Sequence, residues 1–361
     1  MKKIRVLVVD DSVVIRRLLT DILSQDPEIE VCGIASNGRI ALAKLPQLNP
    51  DIVTLDIEMP ELDGLGTLVE LRKTYPKLPV IMFSTLTARG AVSTLDALAR
   101  GATDYVAKPA NVGSVSAGMQ SVKDQLLPKI KSLCPINKPT IVAAPARPLV
   151  RAAARPQSAH PFKACDVIAI GSSTGGPQAL TAVLKQLPSN IPVPIVIVQH
   201  MPPVFTKHLA DRLNHESELT VKEAQGGETL QPGHVFIAPG DHHMELRREG
   251  IAVKTVITQG PPENSCRPAV DVLFRSVANV YGAGVLGVVL TGMGQDGLRG
   301  AEQIVHDGGT MIAQDEATSV VWGMPRAVAQ GGLARYILPL SSIPAELQRL
   351  VAIGRRQLVT Y

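Results

Sequence analysis

A glycine-rich stretch with two adjacent serines, GSSTGG at residues 171–176, follows an apolar run and precedes a helical pattern. Such a turn binds phosphate through the N–H groups at a helix N-terminus, or it presents a serine as a nucleophile. A dinucleotide-binding fingerprint does not fit, because Ser173 stands where its second glycine is needed and no acid follows about twenty residues later. No P-loop lysine follows the glycines either. A generic anion site and a nucleophile therefore stay open.

The nucleophile interpretation requires a base and an orienting acid elsewhere in the chain. His200 directly follows the apolar run PIVIVQ, and Asp296 lies in the loop TGMGQDG after the run VLGVVL. The carboxyl ends of parallel strands meet at one rim of a sheet, so Ser173, His200 and Asp296 are predicted to form a catalytic triad. The alternatives are a structural histidine and a turn aspartate, since Asp-Gly is a turn signal.

A second set of chemically capable residues lies near the N-terminus. Asp10 and Asp11 follow the first predicted strand, Asp56 the third, Ser84 ends the fourth and Lys108 comes after the fifth. Carboxylates gathered in one crevice repel each other unless a cation lies among them, and oxygen ligands with room for water suit Mg²⁺. Together these groups are suited to bind and stabilise a transferring phosphoryl group. The alternative is that the acids only cap helices.

The elements that must position these residues form two patterns of alternating strands and helices. Residues 1–125 and residues 163–361 each alternate short apolar, β-branched runs with helical patterns, which predicts parallel sheets covered on both faces. Residues 126–162 are rich in proline and alanine and are predicted to be a semi-extended linker. The predicted fold class is therefore α/β, with two doubly wound parallel-sheet domains joined by a Pro-rich linker.

Composition excludes several classes of protein. The chain has 361 residues, 45% of them hydrophobic and 19% charged, which is typical of folded proteins. A net charge of +4 without a dense Lys/Arg tract argues against nucleic-acid binding. No apolar run approaches a membrane span, and the N-terminus does not resemble a signal peptide. The four cysteines lie far apart without a CxxC pair. We expect a cytoplasmic protein with no membrane insertion and no metal in the second domain.

The motifs VDDS, LDIEMPELDG, FSTLT and AKP resemble the response-regulator receiver family over residues 1–125. The resemblance implies that Asp56 accepts a phosphoryl group from a CheA-like histidine kinase. It also implies that Asp10, Asp11, Asp56 and the backbone carbonyl of Glu58 hold Mg²⁺. The switch residues implied by the same resemblance are Ser84, Tyr105 and Lys108.

The motifs IGSSTGG, VQHMP, IAPGDHHM, RPAVDVLF and LTGMGQDG resemble the catalytic domain of the chemotaxis protein-glutamate methylesterase (CheB) family over roughly residues 163–350. A receiver domain, a linker and this Rossmann-like domain occur in that order in the family. The resemblance implies that Ser173, rather than Ser172, is the nucleophile and that the backbone N–H of Met293 contributes to an oxyanion hole. Family members vary at Cys266, to which no role is assigned.

The function implied by this resemblance is phosphorylation-activated hydrolysis of glutamyl methyl esters on chemoreceptors to glutamate and methanol, in chemotaxis adaptation. Deamidation of receptor glutamine is implied as a second activity, and no cofactor is implied for the esterase site. The alternative is a phosphorylation-controlled binding module whose second domain holds a nucleotide or another anionic partner through GSSTGG without hydrolysis.

Overall fold

The computed structural model describes residues 2–108, 115–135 and 164–356. The first domain has a five-stranded parallel sheet, as predicted, and its strands lie in the order β2-β1-β3-β4-β5. Its strands are β1 (Ile4–Val9), β2 (Ile29–Ala35), β3 (Ile52–Asp56), β4 (Val80–Ser84) and β5 (Asp104–Ala107). Its helices are α1 (Val13–Ser24), α2 (Gly38–Leu48), α3 (Gly64–Thr74), α4 (Ala88–Ala99) and α5 (Val115–Leu133).

The N-termini of the first four helices are capped by side chains that lie outside the predicted acidic set. Each of these side chains accepts a backbone N–H from the first turn of its helix, which satisfies a donor that the helix itself leaves free. The capping residues of α1 to α4, in chain order, are Ser12, Asn37, Asp63 and Thr87. Asp10, Asp11 and Asp56 are therefore not needed as caps for these helices.

Helix α5 extends further than the composition suggested. It continues to Leu133, with Pro128 inside it, and Leu126 and Ile130 are fully buried in the core beside β1. The predicted start of the linker at residue 126 thus falls within a helix of the first domain, because an apolar pair at i, i+4 packs on the sheet despite the proline. Residues 136–162 of the predicted linker lie outside the described residues.

The second domain has a seven-stranded parallel sheet in the order β14-β13-β12-β6-β7-β9-β8. Its strands are β6 (Val167–Ser172), β7 (Ile195–Gln199), β8 (Thr220–Glu223), β9 (His234–Ile237), β12 (Val285–Val289), β13 (Thr310–Gln314) and β14 (Ala334–Leu338). An antiparallel hairpin of β10 (His243–Glu249) and β11 (Ala252–Thr258) stands beside it. The helices are α6 (Gly176–Leu184), α7 (Phe205–Glu216), α8 (Val270–Tyr281), α9 (Leu298–His306), α10 (Met324–Gln330) and α11 (Ile343–Arg356).

The five strands predicted from apolar runs are β6, β7, β9, β12 and β13, while the two edge strands and the hairpin were missed. Edge strands β8 and β14 are only partly buried, so their sequences lack a continuous apolar run. Strand β6 lies between β7 and β12, with β6 preceding both in the chain, so the strand order changes direction there. The rim beyond the carboxyl ends of these strands is where a doubly wound sheet places its functional residues.

The two domains pack against each other through α4 and β5 of the first and α6 and α7 of the second. The ring of Tyr105 stacks on that of Phe205 with centroids 5.0 Å apart and planes 9° apart. Buried apolar side chains from both domains form one continuous cluster. No helix among the described residues is long and apolar enough to cross a membrane.

Candidate active site

The turn at residues 171–176 is shaped by close packing. Gly175 adopts φ +74° directly before α6, a conformation that favours glycine. A side chain at Gly176 would collide with the Gln199 amide, and one at Gly171 would collide with Val270. The N–H of Gly176 already donates to the Ser173 carbonyl at 2.7 Å, so this donor is not free for an anion. The turn is a tight strand-to-helix elbow of the kind that exposes a nucleophile.

Only the second of the two serines is placed to react. Ser172 is fully buried and donates its hydroxyl to Gln199 Oε1 at 2.7 Å. Ser173 is partly exposed, and its carbonyl accepts from Gln199 Nε2 at 2.9 Å. Gln199 was missed by sequence reasoning, although a lone amide ending an apolar run was a usable signal. Its buried amide fixes the backbone of the elbow from beneath.

His200 directly follows the end of β7, and Asp296 lies in the loop after β12. The fold brings the two residues together. His200 Nε2 lies 2.8 Å from Asp296 Oδ2, and the backbone N–H of His200 donates to the Ser172 carbonyl at 3.1 Å. Among the described residues, the Ser173 hydroxyl makes no hydrogen bond. Such catalytic bonds often tighten only when substrate binds. His200 and Asp296 are thus paired next to the turn that carries the two serines.

Asp296 is held by a dense set of donors at the N-terminus of α8. Its carboxylate accepts from the backbone N–H groups of Val270 at 2.6 Å, Asp271 at 3.1 Å and Gly297 at 3.0 Å. The amide of Asn264 also donates to it, at 2.8 Å. Burial alone would raise the pKa of Asp296, but His200 and these N–H groups hold it below its usual value. Asp296 is therefore a permanently charged acceptor for the imidazole.

The remaining imidazole nitrogen faces a cysteine that sequence reasoning left without a role. His200 Nδ1 lies 3.6 Å from Cys266 Sγ. Burial alone would lower the pKa of His200, but its contacts with Asp296 and Cys266 raise it. Cys266 belongs to a loop far from His200 in the chain, so no local pattern could have revealed the contact.

Two backbone N–H groups beside Ser173 are available to an oxyanion. A Cβ at Gly292 would lie 2.9 Å from the Ser173 Cβ, so the loop that carries Met293 touches the nucleophile. Within the described part of the chain, the N–H groups of Met293 and Thr174 have no acceptor. Thr174 was not predicted, although it follows the nucleophile directly, where a nucleophile elbow supplies such a donor.

The predicted acidic crevice forms in the first domain. Lys108 Nζ lies 2.8 Å from Asp56 Oδ1 and 3.2 Å from Asp10 Oδ2. Oxygen atoms of Asp10, Asp11 and Asp56 all lie within 4.8 Å of one another. One cavity is lined by Asp11, Asp56, Glu58, Ser84 and Lys108, among others. Tyr105 lies elsewhere, in the contact with the second domain.

The electrostatics of this crevice suit a cation. Burial and the nearby charge of Asp10 raise the pKa of Asp56 to about 6 in spite of Lys108. Burial also raises the pKa of Asp10. Asp10 Oδ2 is buried and, among the described residues, lacks a partner with hydrogen-bond geometry, although the Lys108 ammonium is near. The crevice thus contains a carboxylate oxygen without a hydrogen bond, next to carboxyl groups whose pKa values are raised. Such groups supply the oxygen ligands that Mg²⁺ prefers.

Comparisons with known proteins agree with both domains. The profile of the CheB methylesterase family matches residues 168–347, and that of the response regulator receiver domain matches residues 6–118. The latter family implies Mg²⁺ binding and a histidine kinase as phosphoryl donor.

Two relatives of similar length share about half of the residues. A protein-glutamate methylesterase/protein-glutamine glutaminase of a Nocardioides species is 54% identical, covering 99% of this chain and 98% of that protein. A protein of the same name from Trichodesmium erythraeum is 52% identical, covering 97% and 100%. The crystal structure of the Thermotoga maritima CheB methylesterase catalytic domain is 48% identical, with a TM-score of 0.51, and covers 52% of this chain and 100% of that one.

Proposed function

We propose, since the chain belongs to the CheB methylesterase family, that it hydrolyses glutamyl methyl esters on the cytoplasmic helices of chemoreceptors to glutamate and methanol. Deamidation of receptor glutamine is proposed as its second reaction. The observation that carries the proposal is the His200–Asp296 pair at 2.8 Å next to a strand-to-helix elbow whose Ser173 is partly exposed. A hydrolase needs this set of groups, and a non-hydrolytic anion site does not.

The path of the proton depends on which imidazole nitrogen of His200 is bonded to Asp296. Because Nε2 of His200 is bonded to Asp296, Nδ1 is the nitrogen that takes the proton of Ser173 as its Oγ attacks the ester carbonyl. The same proton then passes to the leaving methoxide, and methanol departs from an acyl-enzyme. Water attacks that ester with His200 again as base, which releases glutamate and restores the serine. With glutamine, the leaving group is ammonia.

The tetrahedral intermediates carry a negative charge on the former carbonyl oxygen, which backbone N–H donors next to Ser173 would stabilise. The N–H groups of Met293 and Thr174 are the proposed oxyanion donors, each contributing about 3 kcal/mol of transition-state stabilisation. Both belong to loops fixed by other contacts: the hydroxyl of Thr291 donates to the Thr174 carbonyl at 2.9 Å, and the N–H of Gly292 donates to Val321 at 3.0 Å.

In the first domain, Asp56 is the proposed phosphoryl acceptor. Asp10, Asp11, Asp56 and the Glu58 carbonyl would hold Mg²⁺, which supplies positive charge against the phosphoryl oxygens. Lys108 is placed to pair with the phosphoryl group, since its ammonium already contacts Asp56. Ser84 donates to the Gly90 carbonyl at 3.2 Å and is placed to turn its hydroxyl toward a new acceptor. The donor is a CheA-like histidine kinase.

Regulation is proposed to act through the short strand β5. Beyond its carboxyl end, Lys108 contacts the phosphoacceptor, while Asp104 and Tyr105 at its start contact the second domain. Asp104 Oδ2 accepts from the hydroxyl of Thr174 at 2.9 Å, next to Ser173 in the chain. Phosphorylation that repositions Lys108 would therefore release a contact on the nucleophile elbow and open it to a receptor helix.

The proposal is tested by methanol release from methylated receptor fragments. Ser173→Ala is expected to lose at least about 10³-fold in kcat, because no other group can form the acyl-enzyme. Ser172→Ala is the matched control and should keep most of the activity, since its hydroxyl is buried beneath the elbow. Similar losses in both variants would remove Ser173 from its role.

Regulation is tested with a small phosphoryl donor. Asp56→Ala should abolish activation while keeping the basal rate. A chain of residues 164–361 alone should exceed the basal rate of the unphosphorylated full-length protein, because the contact on Thr174 is absent. If the shorter chain is no faster, occlusion by the first domain is wrong.

A further inference from the structure

The catalytic histidine and the thiol of Cys266 stand at a separation that suits a metal ion. We propose that Cys266 Sγ and His200 Nδ1 form a site for a thiophilic divalent cation, with Zn²⁺ as the best match to this ligand pair, and that its occupation inhibits the esterase. The metal site rests on geometry alone, whereas the inhibition rests also on the proposed role of His200 as base.

The two donor atoms lie at the separation expected for two ligands of one zinc ion. Zn–S and Zn–N bonds of about 2.3 Å and about 2.0 Å at a tetrahedral angle place sulfur and nitrogen about 3.5 Å apart. The observed separation of Cys266 Sγ and His200 Nδ1 is 3.6 Å. The separation of the two donor atoms therefore already matches that of two ligands of one zinc ion.

The other side of the imidazole already has the environment of a metal ligand. A ligating histidine usually donates its second N–H to a carboxylate, which fixes the ring and makes the ligating nitrogen more basic. His200 Nε2 has this partner in Asp296 at 2.8 Å. The contact that prepares Nδ1 to accept a proton thus equally prepares it to bind a cation.

Cys266 is held in place by its own turn. Its N–H and carbonyl pair with the Glu263 carbonyl and N–H at 2.9 and 3.1 Å, and the Glu263 carboxylate binds Arg275 through two bonds. Asn264 anchors the middle of the turn by donating to both Asp296 and Asp271 at 2.8 Å. The turn that carries Cys266 and the imidazole of His200 are therefore both bonded to the Asp296 carboxylate, so little ordering is needed when an ion binds.

Two protein ligands leave positions for water or for the Ser173 hydroxyl, which makes the binding reversible. Entry of the ion releases the thiol proton, and any proton held on Nδ1, to solvent, and it occupies the Nδ1 lone pair that would accept the serine proton. No bond of the substrate changes. Mg²⁺ prefers oxygen ligands and should not bind to this site. Saturating Mg²⁺ would therefore fill the carboxylate site around Asp56 and leave the Cys266–His200 site free.

Binding is tested with Co²⁺ as a spectroscopic probe of the reduced full-length chain in saturating Mg²⁺. The wild type should show the near-ultraviolet charge-transfer band of a Co²⁺–thiolate bond, and Zn²⁺ should remove it. Cys266→Ser should lose the band, while the control Cys32→Ser, in the first domain, should keep it. A circular-dichroism spectrum establishes that each variant is folded. A missing band in the wild type, or one that persists in Cys266→Ser, overturns the site.

Inhibition is tested by methanol release at increasing Zn²⁺, with each variant compared with its own metal-free rate. Cys266→Ser should raise the inhibitory Zn²⁺ concentration by more than about tenfold, and Cys32→Ser should leave it unchanged. Equal inhibition of wild type and Cys266→Ser would overturn the proposed consequence. A wild type that binds Co²⁺ through sulfur but never releases methanol would overturn the proposed function and leave the metal site supported.

Discussion

Both domains gather carboxylates beyond the carboxyl ends of parallel strands, yet the two sites have opposite electrostatics. In the first domain, burial raises the pKa of Asp10 and Asp56, and one carboxylate oxygen lacks a hydrogen bond. In the second, the single carboxylate of Asp296 accepts from His200, Asn264 and three backbone N–H groups, and its pKa is lowered.

The difference separates a site built to receive a ligand from one built to orient a side chain. In a cluster of carboxyl groups with raised pKa values, binding of a cation or of a neutralising group reduces the repulsion between the negative charges. A carboxylate that is fully satisfied has nothing more to bind and serves to hold one imidazole in one orientation. The same substitution, aspartate to asparagine, should therefore have opposite consequences in the two domains.

The largest effect is expected for Asp296→Asn. The amide cannot stabilise the imidazolium of His200, and its NH₂ group would face backbone donors, so we expect kcat for methanol release to fall by about 10⁴-fold. Asp211→Asn on α7 is the control: its exposed carboxylate pairs with Lys207 on the same helix, so the loss should stay under about tenfold. Comparable losses would contradict the difference between the two sites.

Asp56→Asn should instead stabilise the protein when no metal is present. The folded-state pKa of about 6 exceeds the ordinary 3.8, so the folded wild type holds the proton longer than the unfolded chain. Its free energy of unfolding therefore falls as the pH rises from about 4 to about 6. Asp56→Asn lacks this loss of stability. Above about pH 6 its free energy of unfolding should exceed that of the wild type by on the order of 2 kcal/mol.

Urea unfolding at pH 5 and pH 7.5, in the presence of a metal chelator, measures the difference in free energy of unfolding between the wild type and Asp56→Asn. The stability gained by Asp56→Asn should be about half complete at pH 5 and complete at pH 7.5. Asp21→Asn, at an exposed position of α1, is the control and should change the free energy of unfolding by less than about 0.5 kcal/mol at either pH. An Asp56→Asn variant less stable than the wild type at pH 7.5 would mean that the pair with Lys108 outweighs burial.

The smallest effect concerns the contact that joins the two sites. Stacking of Tyr105 on Phe205 contributes about 1 kcal/mol beyond burial, so Tyr105→Ala should shift the population toward the open arrangement about fivefold and raise the basal esterase rate accordingly. Arg212→Ala removes the partly exposed ion pairs with Asp96 and, within α7, with Glu216, and we expect less than a twofold change. A folded Tyr105→Ala protein with an unchanged basal rate would show that this stacking does not restrain the elbow.

Sequence patterns were reliable where burial is continuous and misleading where it is partial. The central strands contain uninterrupted apolar runs, whereas β14 alternates between partly buried and exposed residues and was missed. The proline-rich composition after residue 126 concealed the end of α5, because Pro128 outweighed the apolar spacing of Leu126 and Ile130. Local composition cannot reveal that a distant sheet covers those side chains.

From the sequence alone, the two parallel sheets and the residues at their strand ends could be deduced, because the hydrophobic period and the apolar runs are local properties of the chain. Ser173, His200, Asp296 and the acids of the first domain were accessible in this way. Tertiary structure decided which of these groups are satisfied and which are not. The contacts of His200 with Cys266 and of Thr174 with Asp104 join residues 66 and 70 positions apart. Such contacts depend on how loops and domains pack, and packing is not a periodic property of the chain.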